Sequence, residues 1–297
     1  MNRQTAVKCL VAALLTAAAL TATGCGGAPK ITVGSMNSTE QTLLAEIVAQ
    51  HLEHRLDRKV VRRTNLGQTV NAFQALQSGE VNLYPEYSGS VVTQILKEQP
   101  STDASQLFQR VRGEMKRTAQ ADFLDPLGID SPFVAVIRAN DPRAGKVSTL
   151  SEAAAVSEGW ALGVTAEFQQ LSDGMPVLTQ YKLPMKAAPR SMDAGALFKS
   201  LEQGDVTMLV TRATDGNLTQ ATWKALRDDR NLFVPKQAAL LVLDKLLVAV
   251  PSARPALQEL SGKFTLEKMR KLNAQVDLDH MQPKDVAAAF LMESGLR

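Results

Sequence analysis

The chain has 297 residues, 45% of them apolar, and its 33 basic and 30 acidic side chains give a formal charge of +3. That balance gives no reason to expect a nucleic-acid partner, and the length suits one large or two moderate domains. With Cys9 and Cys25 as the only cysteines, a disulfide framework is excluded and a packed core must carry the fold.

Arg3 and Lys8 precede an apolar run from Cys9 to Thr23, the pattern of a secretory signal peptide rather than a membrane span. The run ends in Ala22-Thr23-Gly24-Cys25, which resembles a bacterial lipobox, whose cysteine is lipidated and becomes the new N-terminus. Residues 1–24 are therefore expected to be a lipoprotein signal peptide, with Cys25 as the lipidation site and 25–29 as a short tether. Without Arg3 and Lys8 the formal charge falls from +3 to +1. No later stretch is both long enough and charge-free enough to span a bilayer, since the run from Leu240 to Val250 is broken by Asp244 and Lys245. The expected location is outside the cytoplasm, held to the bacterial membrane by the lipid and facing the periplasm or the cell exterior.

From Lys30 to Ser35 the chain is β-rich and closes in Gly-Ser. Ser38 and Gln41 have the spacing of a capping box, and Leu43, Leu44, Ile47, Val48 and Leu52 then recur at helical period as far as about Leu56. His51 and His54 lie on this helix. A metal site would need further ligands, the only other histidine is His280, and solvated or half-buried histidines are expected instead. Val60 and Val61 give a second short strand, and Val70, Phe73 and Leu76 mark a helix stopped at Gly79. A strand at Val81 to Leu83 then opens into Tyr84-Pro85-Glu86-Tyr87-Ser88-Gly89-Ser90, with a helix starting near Ser88 or Ser90. Proline is expected to end the strand there. Strand, helix, strand, helix, strand is the pattern of βαβ units in a mostly parallel sheet, whose ligands bind beyond the carboxyl ends of the strands.

A helix from Ser105 to Gln120 and a strong strand from Phe133 to Ile137 follow. A middle section alternates again: a helix at Ser151 to Val156, a strand at Ala161 to Val164, a helix from Met192 to Leu201, and a strand at Val206 to Val210. Asn231 to Val234 and Ala239 to Leu243 are expected as a return crossing, before a helical end broken at Pro251, Pro255 and Pro283.

Val33 to Gln41, Asn65-Leu66-Gly67, the Tyr84 to Ser90 stretch, Glu167-Phe168 with Asp173-Gly174, Thr214-Asp215-Gly216 and Asp228-Asp229 occur in one order along the chain. With Leu260 to Lys263, Leu272-Asn273 and Val286 to Leu291, they resemble the substrate-binding proteins of osmoprotectant ABC importers, the glycine betaine, choline and carnitine receptors. The resemblance covers essentially everything after the signal segment. It implies an α/β, two-lobed periplasmic binding protein fold (type II-like), with two hinge-crossing strands and the ligand in the cleft between lobes. Lobe 1 would be 30–131 plus 238–297, and lobe 2 would be 132–237. It further implies a monomer that captures a small solute by lobe closure and delivers it to separate permease and ATPase subunits, with no cofactor. A sensor or scaffold lipoprotein using the same fold without transport is the alternative.

A quaternary ammonium has no N–H to donate and is best held by aromatic faces, while a betaine's carboxylate needs cationic or hydroxyl donors. By the resemblance, Tyr87 stands at a cage tyrosine, and Ser90 stands where a hydroxyl meets the carboxylate, with Asn37 in the same set. Elsewhere the chain departs from the pattern. Met36 and Leu171 replace a lysine and an arginine, Phe133 replaces a cage tyrosine, and Arg212 and Lys236 stand where two more belong. Only Tyr84, Tyr87 and Tyr181 exist, so a four-tyrosine cage cannot form. One reading is therefore a different solute, carrying an anionic or strongly accepting group for Arg212 and Lys236 and stacked by Tyr87 and Phe133. The other is that these cations face solvent or pair with an acid such as Asp215 or Glu86, while a betaine still binds. An enzyme is not expected, because no nucleophile, base and orienting group assemble and no phosphate-cradling glycine motif appears.

Overall fold

The computed structural model describes residues 29–185 and 187–297. The expected signal peptide and Cys25 lie outside the described residues. Among the described residues, ten strands divide into two five-stranded sheets. The first holds β1 (Ile31–Gly34), β2 (Val60–Arg63), β3 (Leu83–Tyr87), β4 (Ala121–Phe123) and β10 (Ala238–Leu243), in the order β2-β1-β3-β10-β4. The second holds β5 (Phe133–Arg138), β6 (Leu162–Val164), β7 (Arg190–Ser191), β8 (Met208–Arg212) and β9 (Trp223–Leu226), in the order β7-β6-β8-β5-β9. β1 runs parallel to β2 and β3, whereas β10 is antiparallel to β3 and β4.

Helices α1 (Thr39–Leu56), α2 (Thr69–Ser78) and α3 (Ala104–Ala119) flank the first sheet, and α4 (Leu150–Val156), α5 (Ala166–Gln170), α6 (Met175–Thr179) and α7 (Ala194–Gln203) belong to the second. The chain then returns through α8 (Asp244–Ala249), α9 (Ala253–Gln258), α10 (Leu266–Asp277) and α11 (Pro283–Glu293). Ser38 caps α1 by accepting the Gln41 N–H at 3.3 Å, and Glu40 places a negative charge in the first turn, at the positive end of the helix dipole. α2 stops at Gly79, whose φ of 76° is the left-handed conformation that glycine adopts without steric cost. His51, expected solvated or half-buried, is fully buried. Its ring nitrogens contact the Ala256 and Leu296 carbonyls at 2.8 and 3.2 Å and tie α1 to the C-terminal segment.

Each sheet is covered on both faces. Leu43, Ile47, Leu240, Phe264 and Phe290 pack on one side of the first, and Leu76, Tyr84, Val111, Phe123 and Leu241 on the other. The second is packed by Phe133, Trp160, Phe168 and Val210 on one side and by Val136, Leu197, Phe198 and Leu209 on the other.

Two expectations need correcting. Pro85 does not end the strand; it lies inside β3, opposite Leu240. The Ser88 N–H donates to the Gln237 carbonyl, so by alternation the Pro85 nitrogen turns away from β10. On that side β1 pairs with β3 only at Val33–Leu83, so no ladder bond is lost. Residues 231–234 are not a crossing strand either. Asn231 is left-handed at φ 50°, and the Asp228 carboxylate accepts the Leu232 and Phe233 N–H groups at 3.1 and 2.7 Å, which curls the segment.

The real crossings are shorter. Ser131 N–H donates to Lys236 O at 3.0 Å, Ala238 N–H to Ile129 O at 3.0 Å, and Leu127 N–H to Ala238 O at 2.9 Å. Asp130 and Gln237 form an antiparallel bridge within this ladder. The two passages between sheets thus lie side by side as one ribbon.

Candidate functional site

The ribbon runs out where β3 and β8 end and β5 begins, and a cleft of about 1090 Å³ opens there between the two sheets. Its wall includes Met36, Asn37, Tyr87, Ser90, Phe133 and Arg212, so six of the eight residues singled out from sequence come together on one cavity. Leu171 and Lys236 are not among the lining residues.

On the first lobe, the Tyr87 hydroxyl donates to Glu40 Oε1 and lies close to it. The second oxygen of Glu40 accepts Asn273 Nδ2 at 2.8 Å, and the same Nδ2 donates to the Thr214 carbonyl at 2.9 Å. Burial, with Glu40 beside it, holds the Tyr87 phenol well above its usual range, so the ring stays neutral. Met36 is 7% exposed, and its sulfur accepts the Thr69 hydroxyl at 3.5 Å.

On the second lobe, Phe133 and Arg212 are directly opposite partners in the β5–β8 ladder, so their side chains share one face of the sheet. The guanidinium lies 4.0 Å from the ring centroid, and its Nη2 reaches Glu167 Oε1 at 3.3 Å. Phe168 meets the other ring edge to face at 4.8 Å. One aromatic face of the cleft is therefore already occupied by a cation of the chain.

Lys236 also approaches Phe133, 5.4 Å from the centroid, but it is 1% exposed and its ammonium sits 2.5 Å from the Asp173 carboxylate. The turn that aims Asp173 inward depends on Gly174, where an added Cβ would fall 2.1 Å from the Phe168 carbonyl oxygen. Burial, then repulsion from Arg212, pushes the Lys236 ammonium down to about 8. Lys236 is thus spent inside the wall, paired neither with Asp215 nor with Glu86. Leu171 follows α5 and packs against the second-lobe core, where an apolar side chain belongs. Glu86, fully buried, accepts the Tyr87 N–H at 2.7 Å and the Tyr84 hydroxyl at 3.2 Å, and burial pushes its carboxyl up to about 7.

Of the three tyrosines, Tyr87 alone lines the cleft: Tyr84 is in the core, and Tyr181 bonds Asp228. Glu40, Glu167, Asp173, Thr214, Asp215 and Asn273 join the site only through the fold. Glu40 had a sufficient local explanation in the first turn of α1. Asn273 left a fainter signal, a polar residue beside Met269 and Leu272 on the buried face of α10. Among the described residues no group of three or more His, Cys, Asp or Glu side chains could hold a metal ion, and no helix is long and apolar enough to cross a membrane.

Known proteins share this architecture. The sequence is 26% identical to the carnitine transport binding protein OpuCC of Listeria monocytogenes, over 91% of this chain and 89% of that one. It is 28% identical to the glycine-betaine-binding protein of Pseudomonas aeruginosa, over 100% and 96% of the two chains. It also matches, at 28% over 90% of its length, 48% of the ergothioneine transport permease/ergothioneine binding protein EgtU of Helicobacter pylori. The fold superposes on the crystal structure of a glycine betaine/carnitine/choline ABC transporter protein with a TM-score of 0.81, covering 90% of this chain and 99% of that one at 22% identity. Residues 29–293 match the family model described as the substrate binding domain of an ABC-type glycine betaine transport system, and the chain belongs to that family of solute-binding receptors.

Proposed function

We propose that this receptor captures a small zwitterionic solute between its lobes, with the solute's carboxylate on Arg212, and hands it to the permease of an ABC importer. The observation that carries the reading is the Arg212 guanidinium, held 4.0 Å over Phe133 at the cleft and only one-third exposed. A guanidinium so placed has two donors to offer a carboxylate in a fork, and its ring support fixes the direction of that fork. Ser90 lines the same cleft, its hydroxyl accepting the Lys236 ammonium at 3.5 Å, and Tyr87 covers the solute with its face. Met36 and Asn37 complete the first-lobe wall. The Lys236–Asp173 pair is neutral overall, so the repulsion expected of two cations reduces to Arg212, itself balanced by Glu167.

The solute works by binding the closed arrangement better than the open one, since only such a difference shifts the population of lobes. The protein acts as a monomer, tethered through lipidated Cys25 outside the cytoplasm, and binds its solute without transforming it.

The test is isothermal titration of glycine betaine, carnitine, γ-aminobutyrate and choline into the receptor and into Arg212→Ala. Carboxylate-bearing solutes should bind and lose at least tenfold in affinity in the variant, since a charge-assisted hydrogen bond is worth about 1.5–3 kcal/mol. Choline, which lacks the carboxylate, should not bind. Choline binding as tightly as the acids, unaffected by Arg212→Ala, sinks the assignment.

A further inference from the structure

We infer that the solute's positive end carries N–H donors, as a primary ammonium or guanidinium does, rather than a fully methylated ammonium. This rests on the proposed capture of a zwitterion in this cleft and concerns the end of the solute that Arg212 does not hold. A methylated ammonium needs free aromatic faces, because it can donate no classical hydrogen bond. Four rings line the cleft: Tyr87, Phe133, Phe198 and Trp223. Phe133 carries Arg212, and Phe198 and Trp223 are turned on each other, edge to face at 5.3 Å. Tyr87 is left, and one ring is not a cage.

What the wall offers instead is acceptors. Among the described residues, five acids line the cleft against two bases, Lys199 and Arg212. Arg212 already has Glu167, whereas Glu40, Asp215 and Asp277 are in no ion pair among the described residues. Their present donors are neutral: the Tyr87 hydroxyl and the Asn273 amide for Glu40, the Thr39 hydroxyl at 2.6 Å for Asp277, and for Asp215, which also feels the charge of Arg270, the Thr211 hydroxyl at 2.6 Å with the Asn217 N–H and amide at 2.9 and 3.0 Å.

Asn273 points the same way independently. It is 4% exposed, lines the cleft, and its Oδ1 is a buried acceptor with no donor among the described residues. The amide cannot be turned round, because both groups that Nδ2 serves, Glu40 and the Thr214 carbonyl, are themselves acceptors. Buried acceptors are ordinarily satisfied, and one left open at the wall of a binding cleft calls for a donor from outside the chain. A donor arriving there would lie beside Glu40, where its charge is also neutralised.

The experiment compares matched solutes that differ only in N-methylation: γ-aminobutyrate with γ-butyrobetaine, 4-amino-3-hydroxybutyrate with carnitine, and glycine with glycine betaine. Titrated into the full chain, the N–H-bearing member of each pair should bind at least tenfold more tightly. In Asn273→Leu and in Glu40→Gln that ratio should shrink at least threefold. If the methylated members bind equally or better, the inference fails while capture of a zwitterion stands. A variant that weakens both members of a pair by the same factor marks Asn273 or Glu40 as merely structural and also overturns it. If neither member of any pair binds, the proposed function fails, and this inference with it.

Discussion

Two cations reach the Phe133 ring, and access to water separates their roles. Lys236 and its partner Asp173 are each about 1% exposed, while the side chains of Arg212 and Glu167 are 32% and 41% exposed. In sequence both residues look the same, a basic side chain at a place where an aromatic one is expected. In the fold one is a sealed structural pair and the other is available at the cleft. A charge in a binding motif says little about the ligand until the acid that answers it has been found.

The sharpest way to break the comparison is Lys236→Met. Removing one partner of a buried pair leaves the other as an uncompensated charge, at a cost of about 3–5 kcal/mol. Urea unfolding should show this loss, and Asp173→Leu added to it should recover most of the stability. If Lys236→Met unfolds like the parent, Lys236 is no more structural than Arg212.

A second test lies in Glu86, the buried acid that feels both cations. Its carboxyl is raised from 4.5 to about 7, mainly by burial. Below 4.5 it is neutral folded or unfolded. Between 4.5 and 7 the unfolded chain gives up the proton and the folded chain keeps it, so stability falls as pH rises. At about 1.4 kcal/mol per pH unit, the loss across this window is on the order of 3 kcal/mol. Unfolding free energies measured at pH 5 and 7.5 should show it, and Glu86→Gln should remove it. A slope unchanged by Glu86→Gln assigns the effect to another group.

The smallest stability effect belongs to Arg212→Ala. A pair as exposed as Arg212–Glu167 contributes about 0–1 kcal/mol, so the melting temperature should hardly move while solute affinity drops. A loss above about 2 kcal/mol would put Arg212 in the same structural role as Lys236.

Much of the fold is readable locally because its causes are local. Gly79 stops α2 where the apolar period ends, and the β-branched and aromatic run from Phe133 is a strand by composition alone. Strands β4, β7 and β9 are missed because each is short and held mainly by its neighbours: Ala121–Phe123 by β10, Arg190–Ser191 by β6, and Trp223–Leu226 by β5. Pro85 misleads for the same reason, since its tolerance in β3 depends on where β1 stops. The site divides likewise. Tyr87 can be found as a match to a motif, and Phe133 and Arg212 as departures from one, but what they touch cannot. Glu40 and Asn273 are 233 residues apart in the chain and 2.8 Å apart in the fold, and Lys236 finds its acid 63 positions upstream. Such pairings are products of chain return, which no local pattern records.

The paired crossings at Asp130 and Gln237 have a mechanical consequence. The two short crossings are the connecting residues that can absorb a hinge motion, so the lobes should swing about an axis through residues 129–131 and 236–238. Displacement in such a swing grows with distance from the axis. Lys236 sits on the axis and would stay nearly still, which suits a buried ammonium whose contact with Asp173 must never see water. Arg212 and Glu167 both belong to the second lobe and would move together, still paired, away from the first-lobe wall. Opening would then draw this pair away from Tyr87 and Ser90 while the Lys236–Asp173 contact beside the ribbon stays shut.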